Sequence, residues 1–143
     1  MIEAVTTRLG TQVPDLANRI DGAAEFSRLM KSGKLPAGGV RAYVLPLGLR
    51  GGAADAATGM FSQIVTRSIG ILLLTQSVDG AGERALARLS PLIDEIVHAI
   101  AGWAPNDESG VFTLRKADLI LSGNGLLSYQ IEFAIDDQLR ILT

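Results

Sequence analysis

"GERALARLSPLIDEIVHAIAGWAP", residues 82–105, is the stretch whose reading decides the fold. Leu86, Leu89, Ile93, Ile96 and Ile100 recur at steps of three and four, which on a helix of about 3.6 residues per turn makes one apolar stripe. Arg84, Arg88, Pro91, Glu95 and His98 form the opposite stripe. The spacing predicts one amphipathic helix over about 82–101, packed by its apolar face on a sheet. Pro91 has no amide hydrogen, so a kink near Ala87–Pro91 is expected, or a restart with Ser90 as N-cap. Gly102 can take a left-handed conformation and satisfy the last helical carbonyls. Trp103 is expected to fold back on the helix end, and Pro105 stops the helix from continuing. Gly102, Trp103 and Pro105 are therefore the expected structural anchors.

On the N-terminal side, Ile2, Val5 and Leu9 mark a first helix that Gly10 should stop. A short strand is expected around Arg19–Ile20. A second helix over Ala23–Met30 should turn Phe26, Leu29 and Met30 inward and end at Ser32-Gly33. Val40–Leu47 alternates like a strand, with Pro46 placing it near an edge or end. GLRGGAADAATGM, residues 48–60, has no periodicity and is longer than a hairpin needs, so it reads as a mobile loop. Phe61–Gln76 is a long strand, followed by a turn at Asp79-Gly80.

On the C-terminal side, Val111–Leu121 and Leu126–Ile135 flank Ser122-Gly123-Asn124-Gly125 as a hairpin. Leu127, Tyr129, Ile131, Phe133 and Ile135 share one face of its second arm, and Asp136-Asp137 reads as a turn after it. Strands joined by hairpins around one main helix give an α+β fold rather than a parallel βαβ sheet. The expectation is a single domain, residues 1–143. It holds a small, mainly antiparallel sheet with the long helix and the short N-terminal helices against it, and a C-terminal hairpin. Leu45, Leu72 and Leu74 would be left on the far face, which suggests a partner subunit.

Composition narrows the function classes. A chain of 143 residues with 48% hydrophobic and 20% charged residues suits one folded domain. A net charge of −2 leaves no basic footprint for nucleic acid, and the absence of cysteine excludes disulfides and thiolate metal sites. No secretory leader is visible at the N-terminus, and the apolar run Ile69–Leu74 is too short to cross a bilayer, so a soluble protein made inside the cell is expected. No catalytic, cofactor or metal constellation emerges. The single histidine, His98, sits on a polar stripe with no nucleophile elbow nearby, and SGNGLLS bridges two strands instead of opening a helix. LRGG at 49–52 has no Lys-Ser/Thr after it.

AIAGWAP (99–105), following the Leu86/Leu89/Ile96 helix, resembles the small tail terminator, or tail completion, proteins of long-tailed bacteriophages. The likeness continues in MIEAVTTRL at the start, RIDGAAEFSRLMKSGKLP (19–36), VRAYVLPLG (40–48) before a long loop, and LSYQIEFAIDDQLR (127–140). It runs nearly the whole chain in order, with Gly-Trp-x-Pro its sharpest element. The resemblance implies a non-enzymatic virion protein, made in the host cytoplasm and placed at the head-proximal end of the tail. It would form a ring, usually of six copies, that caps the tail tube, stops its growth and presents a surface to the head-side connector. Implied partners are itself, the tail tube protein and the connector or neck protein. Neither a membrane nor sequence-specific nucleic acid is implied, although genome DNA can pass through the ring lumen. Leu49, Arg50, Asp55, Met60 and Arg67 are the candidate subunit or tube interface, with Arg50 and Asp55 available to pair across a boundary. Three other readings stay open: another neck, connector or tube protein; an unrelated ligand-binding domain with Trp103 and Tyr129 lining a pocket; and, last, an enzyme, for which no constellation is visible.

Overall fold

Among the described residues, five strands form one mixed sheet in the order β1-β2-β3-β5-β4. They are β1 (Ile20–Asp21), β2 (Arg41–Asp55), β3 (Met60–Gln76), β4 (Thr113–Gly123) and β5 (Leu126–Leu142). The described helices are α1 (Ile2–Gln12), α2 (Ala23–Ser32) and α3 (Glu83–Ile100), with a 3₁₀ turn at Pro14–Leu16. The computed structural model describes residues 1–33, 39–56, 58–76, 83–105, 110–123 and 125–142. The expected turn at Asp79-Gly80, and Asn124 of the hairpin turn, lie outside these. The fold is α+β, and its sheet is mixed because β1 runs parallel to β2 while every other pairing is antiparallel.

The main core lies between one sheet face and the pair α1 and α3. Ile69, Ile71 and Leu73 of β3, with Leu127, Ile131, Phe133 and Ile135 of β5, meet Val5 and Leu9 of α1 and Leu89, Ile96 and Ile100 of α3. The buried line of α3 is Ala85, Leu89, Leu92, Ile96, Ala99 and Ile100. Leu86, expected inside, is 42% exposed, because the small Ala85 and Ala99 take the inward positions and rotate the stripe past it. Pro91 neither breaks α3 nor restarts it at Ser90: the helix runs without interruption through it. Pro91 and Ala87 both sit on the exposed side, where water can satisfy the carbonyl that proline leaves without a donor. Gly10 likewise does not stop α1, which runs to Gln12 and ends with the Val13 amide donating to the Leu9 carbonyl at 2.8 Å.

The opposite sheet face is covered from within the chain. Leu29 of α2, with Phe26 beside it, packs on Tyr43, Leu72 and Leu74, and the Phe26 and Tyr43 rings lie 5.4 Å apart. The apolar remainder expected to need a partner subunit is thus covered by α2, leaving Leu72 at 7% and Leu74 at 4% exposure. The Glu25 carboxylate accepts from the Gly22 amide at the start of α2 (3.1 Å), and Gly33 closes its end in the left-handed region at φ 67°. Backbone hydrogen bonds to the Glu25 carboxylate hold its pKa below the usual carboxylate value.

The largest departure from expectation is at residues 48–60. Most of them are strand rather than loop: β2 continues to Asp55, β3 begins at Met60, and the chain turns at Thr58-Gly59. Glycine and alanine lower strand propensity, but a ladder of cross-strand bonds along a committed neighbour outweighs it. Two irregularities absorb the mismatch, between Pro46 and Gly48 and between Gly51 and Ala54. Pro46 is accommodated inside the strand because β1, on the far side of β2, pairs only as far as Tyr43. Asp136-Asp137 is not a turn either: both lie within β5, opposite Thr66 and Val65.

Candidate functional site

Two places stand out. The first is the corner after α3. Gly102 adopts φ +80°, where a side chain would be strained. Its amide donates not to the helix but to the Phe112 carbonyl (2.8 Å), and Phe112 returns its amide to the Trp103 carbonyl (2.9 Å). The last helical carbonyls are taken otherwise. Ala101 donates to Val97 and Trp103 to Ile100, while the Arg8 Nε donates to Ala99 at 2.6 Å. A cation at a helix C-terminus also meets the negative end of the helix dipole.

Trp103 is half-buried, stacked on Phe112 (centroids 6.0 Å, planes 27° apart), with the Arg8 guanidinium 4.8 Å from its ring centroid. Phe112 in turn meets Phe133 edge-on at 6.5 Å, and Pro105 is buried. Met1, Glu3, Ala4, Thr7, Thr11 and Gln12 surround the shallow cleft beside Arg8 and Trp103. Tyr129 is not among its walls; it packs against the main core from β5. The two aromatic residues of the ligand-pocket reading therefore do not share a site.

The second place is the far end of the sheet. β4 stops pairing at Thr113↔Ala134, and β1 reaches only Tyr43. Beyond them β2, β3 and β5 run on as a three-stranded ribbon, residues 48–55, 60–67 and 136–142, whose outer strands have no further strand beside them among the described residues. It keeps large apolar side chains in water: Leu49 at 61%, Met60 at 44%, Ile64 at 48%, Leu139 at 39%, Ile141 at 47% and Leu142 at 84% exposure. An exposed sheet end of this kind is a template for association.

All five candidate interface residues fall on this ribbon. Leu49 pairs across to Arg67, Arg50 to Thr66 and Asp55 to Ser62, and Met60 opens β3 near the tip. Sequence reading missed its third strand, residues 136–142. The alternation of β5 does continue through Asp137, Leu139 and Ile141, but the paired aspartates imitate a turn.

His98 is exposed on α3, with Nδ1 2.7 Å from the Asp94 carbonyl. Among the described residues no group of three or more His, Asp or Glu is placed to hold a metal ion, and no helix is long and apolar enough to cross a membrane.

A small α+β domain that leaves an open-edged apolar ribbon in water belongs with proteins that work by surface contact. The sequence family described as "Phage tail terminator protein" matches residues 1–143, and the chain belongs to that family. Its role is accordingly structural, in a phage tail. No match was found among the curated proteins.

Proposed function

We infer that copies of this chain close into a ring, of six subunits, on the last ring of the tail tube. The ring ends tube polymerisation and offers its other surface to the head-side connector. The observation that carries the reading is the three-stranded ribbon. It places Leu49, Met60, Ile64, Ile141 and Leu142 in water at the end of the sheet that no helix among the described residues covers. A contact between two different patches of one molecule, repeated by rotation, closes into a ring when the rotation permits. Elsewhere the sheet is covered over β2, β3 and β5 by α1 and α3 on one face, and over β2 and β3 by α2 on the other, while edge strand β4 keeps Leu114, Leu119 and Ile120 exposed. The corner at Gly102, Trp103 and Pro105 serves as the brace that fixes the end of α3 against β4 and β5.

Native mass spectrometry and electron microscopy of the purified chain, alone and with tail tube protein, test the reading. Closed multimers that cap tubes support it. Tubes that lengthen as freely with the chain present as without it refute it.

A further inference from the structure

The ribbon carries a charge code on its two edges, and the geometry points to the side-by-side joint that the code specifies. This inference rests on the ring reading above and names the surfaces that meet. The β2 edge of one copy lies along the β5 edge of the next, so that Arg50 faces Asp136 and Asp55 faces Arg140 across every boundary.

Cross-strand partners share a sheet face and a level along the ribbon. Arg50 pairs with Thr66, which pairs with Asp136, and the Thr66 hydroxyl donates to the Asp136 carboxylate at 2.7 Å. Four residues along β3 towards the tip, Asp55 pairs with Ser62, which pairs with Arg140. Thr66 and Ser62 are an even number of residues apart, so all four charges project from the same face. The β2 edge thus presents plus then minus, and the β5 edge minus then plus, at the same two levels. Arg50, Asp55, Asp136 and Arg140 are all exposed.

Strand direction agrees with a repeating joint. β2 and β5 are each antiparallel to β3, so both run towards the tip. A rotation about an axis running along the ribbon sets a second copy beside the first with those directions preserved, and the new pair is parallel. Between Arg50 and Asp55 the β2 edge holds only Gly51, Gly52, Ala53 and Ala54, so a neighbouring backbone meets no side chain larger than a methyl. The irregularity between Gly51 and Ala54 interrupts any continuous ladder there, which leaves the charges to set the level. A slip of four residues either way would bring Arg50 beside Arg140 or Asp55 beside Asp136. Like charges thereby disfavour the nearest register that reuses the same side chains.

Cysteine cross-linking reads the joint without background, because the chain has no cysteine. Within one copy, positions 50 and 136 are separated by β3 and lie about 10 Å apart, beyond the roughly 7 Å that a disulfide can bridge. Any disulfide in Arg50→Cys/Asp136→Cys is therefore between copies. Mild oxidation is expected to give a ladder of multimers ending at the ring, as is oxidation of Asp55→Cys/Arg140→Cys. Among charge variants, Arg50→Glu should abolish the multimer and Arg50→Glu/Asp136→Arg should restore it. Multimers that native mass spectrometry detects but neither cysteine pair cross-links would overturn the joint and leave the ring standing. A cross-linked dimer from Arg50→Cys/Asp55→Cys, with no ladder from the other pairs, would mean β2 pairs with β2 about a two-fold axis and would also overturn it. A chain that stays monomeric at every concentration, with or without tail tube protein, overturns the joint and the ring together.

Discussion

Trp103→Ala should destabilise the domain by about 3 kcal/mol. Truncating a fully buried large aromatic residue costs roughly 3–5 kcal/mol, and half-burial places Trp103 at the lower end. Its stacking on Phe112 accounts for about 1 kcal/mol of that, and the Arg8 guanidinium above the ring for another 0.5–1 kcal/mol or so. The remainder is apolar area, including the fully buried Phe112 that the truncation would open to water. For a chain of this size about 1 kcal/mol corresponds to roughly 3 °C, so the midpoint should fall by about 9 °C. Thermal melts followed by circular dichroism measure it, with Trp103→Phe expected to lose about 1 kcal/mol because it keeps most of the stack. A double-mutant cycle with Arg8→Met should give a coupling of about 0.5–1 kcal/mol. If Trp103→Ala melts within a degree or so of the parent and the coupling is zero, the corner is not a brace.

Gly102→Ala should cost about 1–2 kcal/mol in a urea melt, since its φ of +80° disfavours any side chain. Gly110→Ala should be worse than a typical surface change, because a Cβ there would sit 2.5 Å from the Asp136 backbone carbonyl oxygen; equal stability would show that the 110 segment does not lie against β5. Burial, helped by the Asp21 carboxylate, raises the Tyr43 pKa above that of an ordinary phenol. A raised folded-state pKa gives stability that is complete below the unfolded value of about 10 and is lost as pH rises through the folded value. Tyr43→Phe should therefore lose less stability than the parent between pH 8 and the alkaline range, and identical losses in paired melts would contradict that cause.

What the sequence made legible follows the strength of its periodic signals. The long apolar periodicity of residues 82–101 points to one helix, and the alternation from Leu127 to Ile135 points to a sheet face; β3 differs from its expected span only by starting at Met60 rather than Phe61. What failed to show were elements whose state depends on a distant neighbour. RGGAAD at 50–55 has no local reason to be a strand; it extends because Ser62–Thr66 lies beside it. Asp136-Asp137 has turn chemistry, yet pairing to Val65 and Thr66 keeps it in the ladder. The cover over Leu72 and Leu74 was hidden because α2 comes far earlier in the chain than the strands it protects. The candidate interface residues were collected by composition and the resemblance; their alignment on one ribbon, and the pairing of Arg50 and Asp55 with levels that carry Asp136 and Arg140, needed the registers.

β5 sits between β3 and β4 although it follows both in the chain, and its ladder joins Met60 to Leu142 at one end and Gln76 to Leu126 at the other. During synthesis, therefore, β3 can emerge from the ribosome with one whole edge unpaired and with Ile69, Ile71 and Leu73 uncovered on that side. Such distant pairings make folding slow relative to a helical bundle of equal stability. The nascent chain thus passes through a stage with a long apolar edge exposed, and the insertion of β5 both completes the core and assembles the three-stranded ribbon. Until that step the ribbon does not exist, and the open edge of β3 is itself a template for wrong pairing with other unfinished chains.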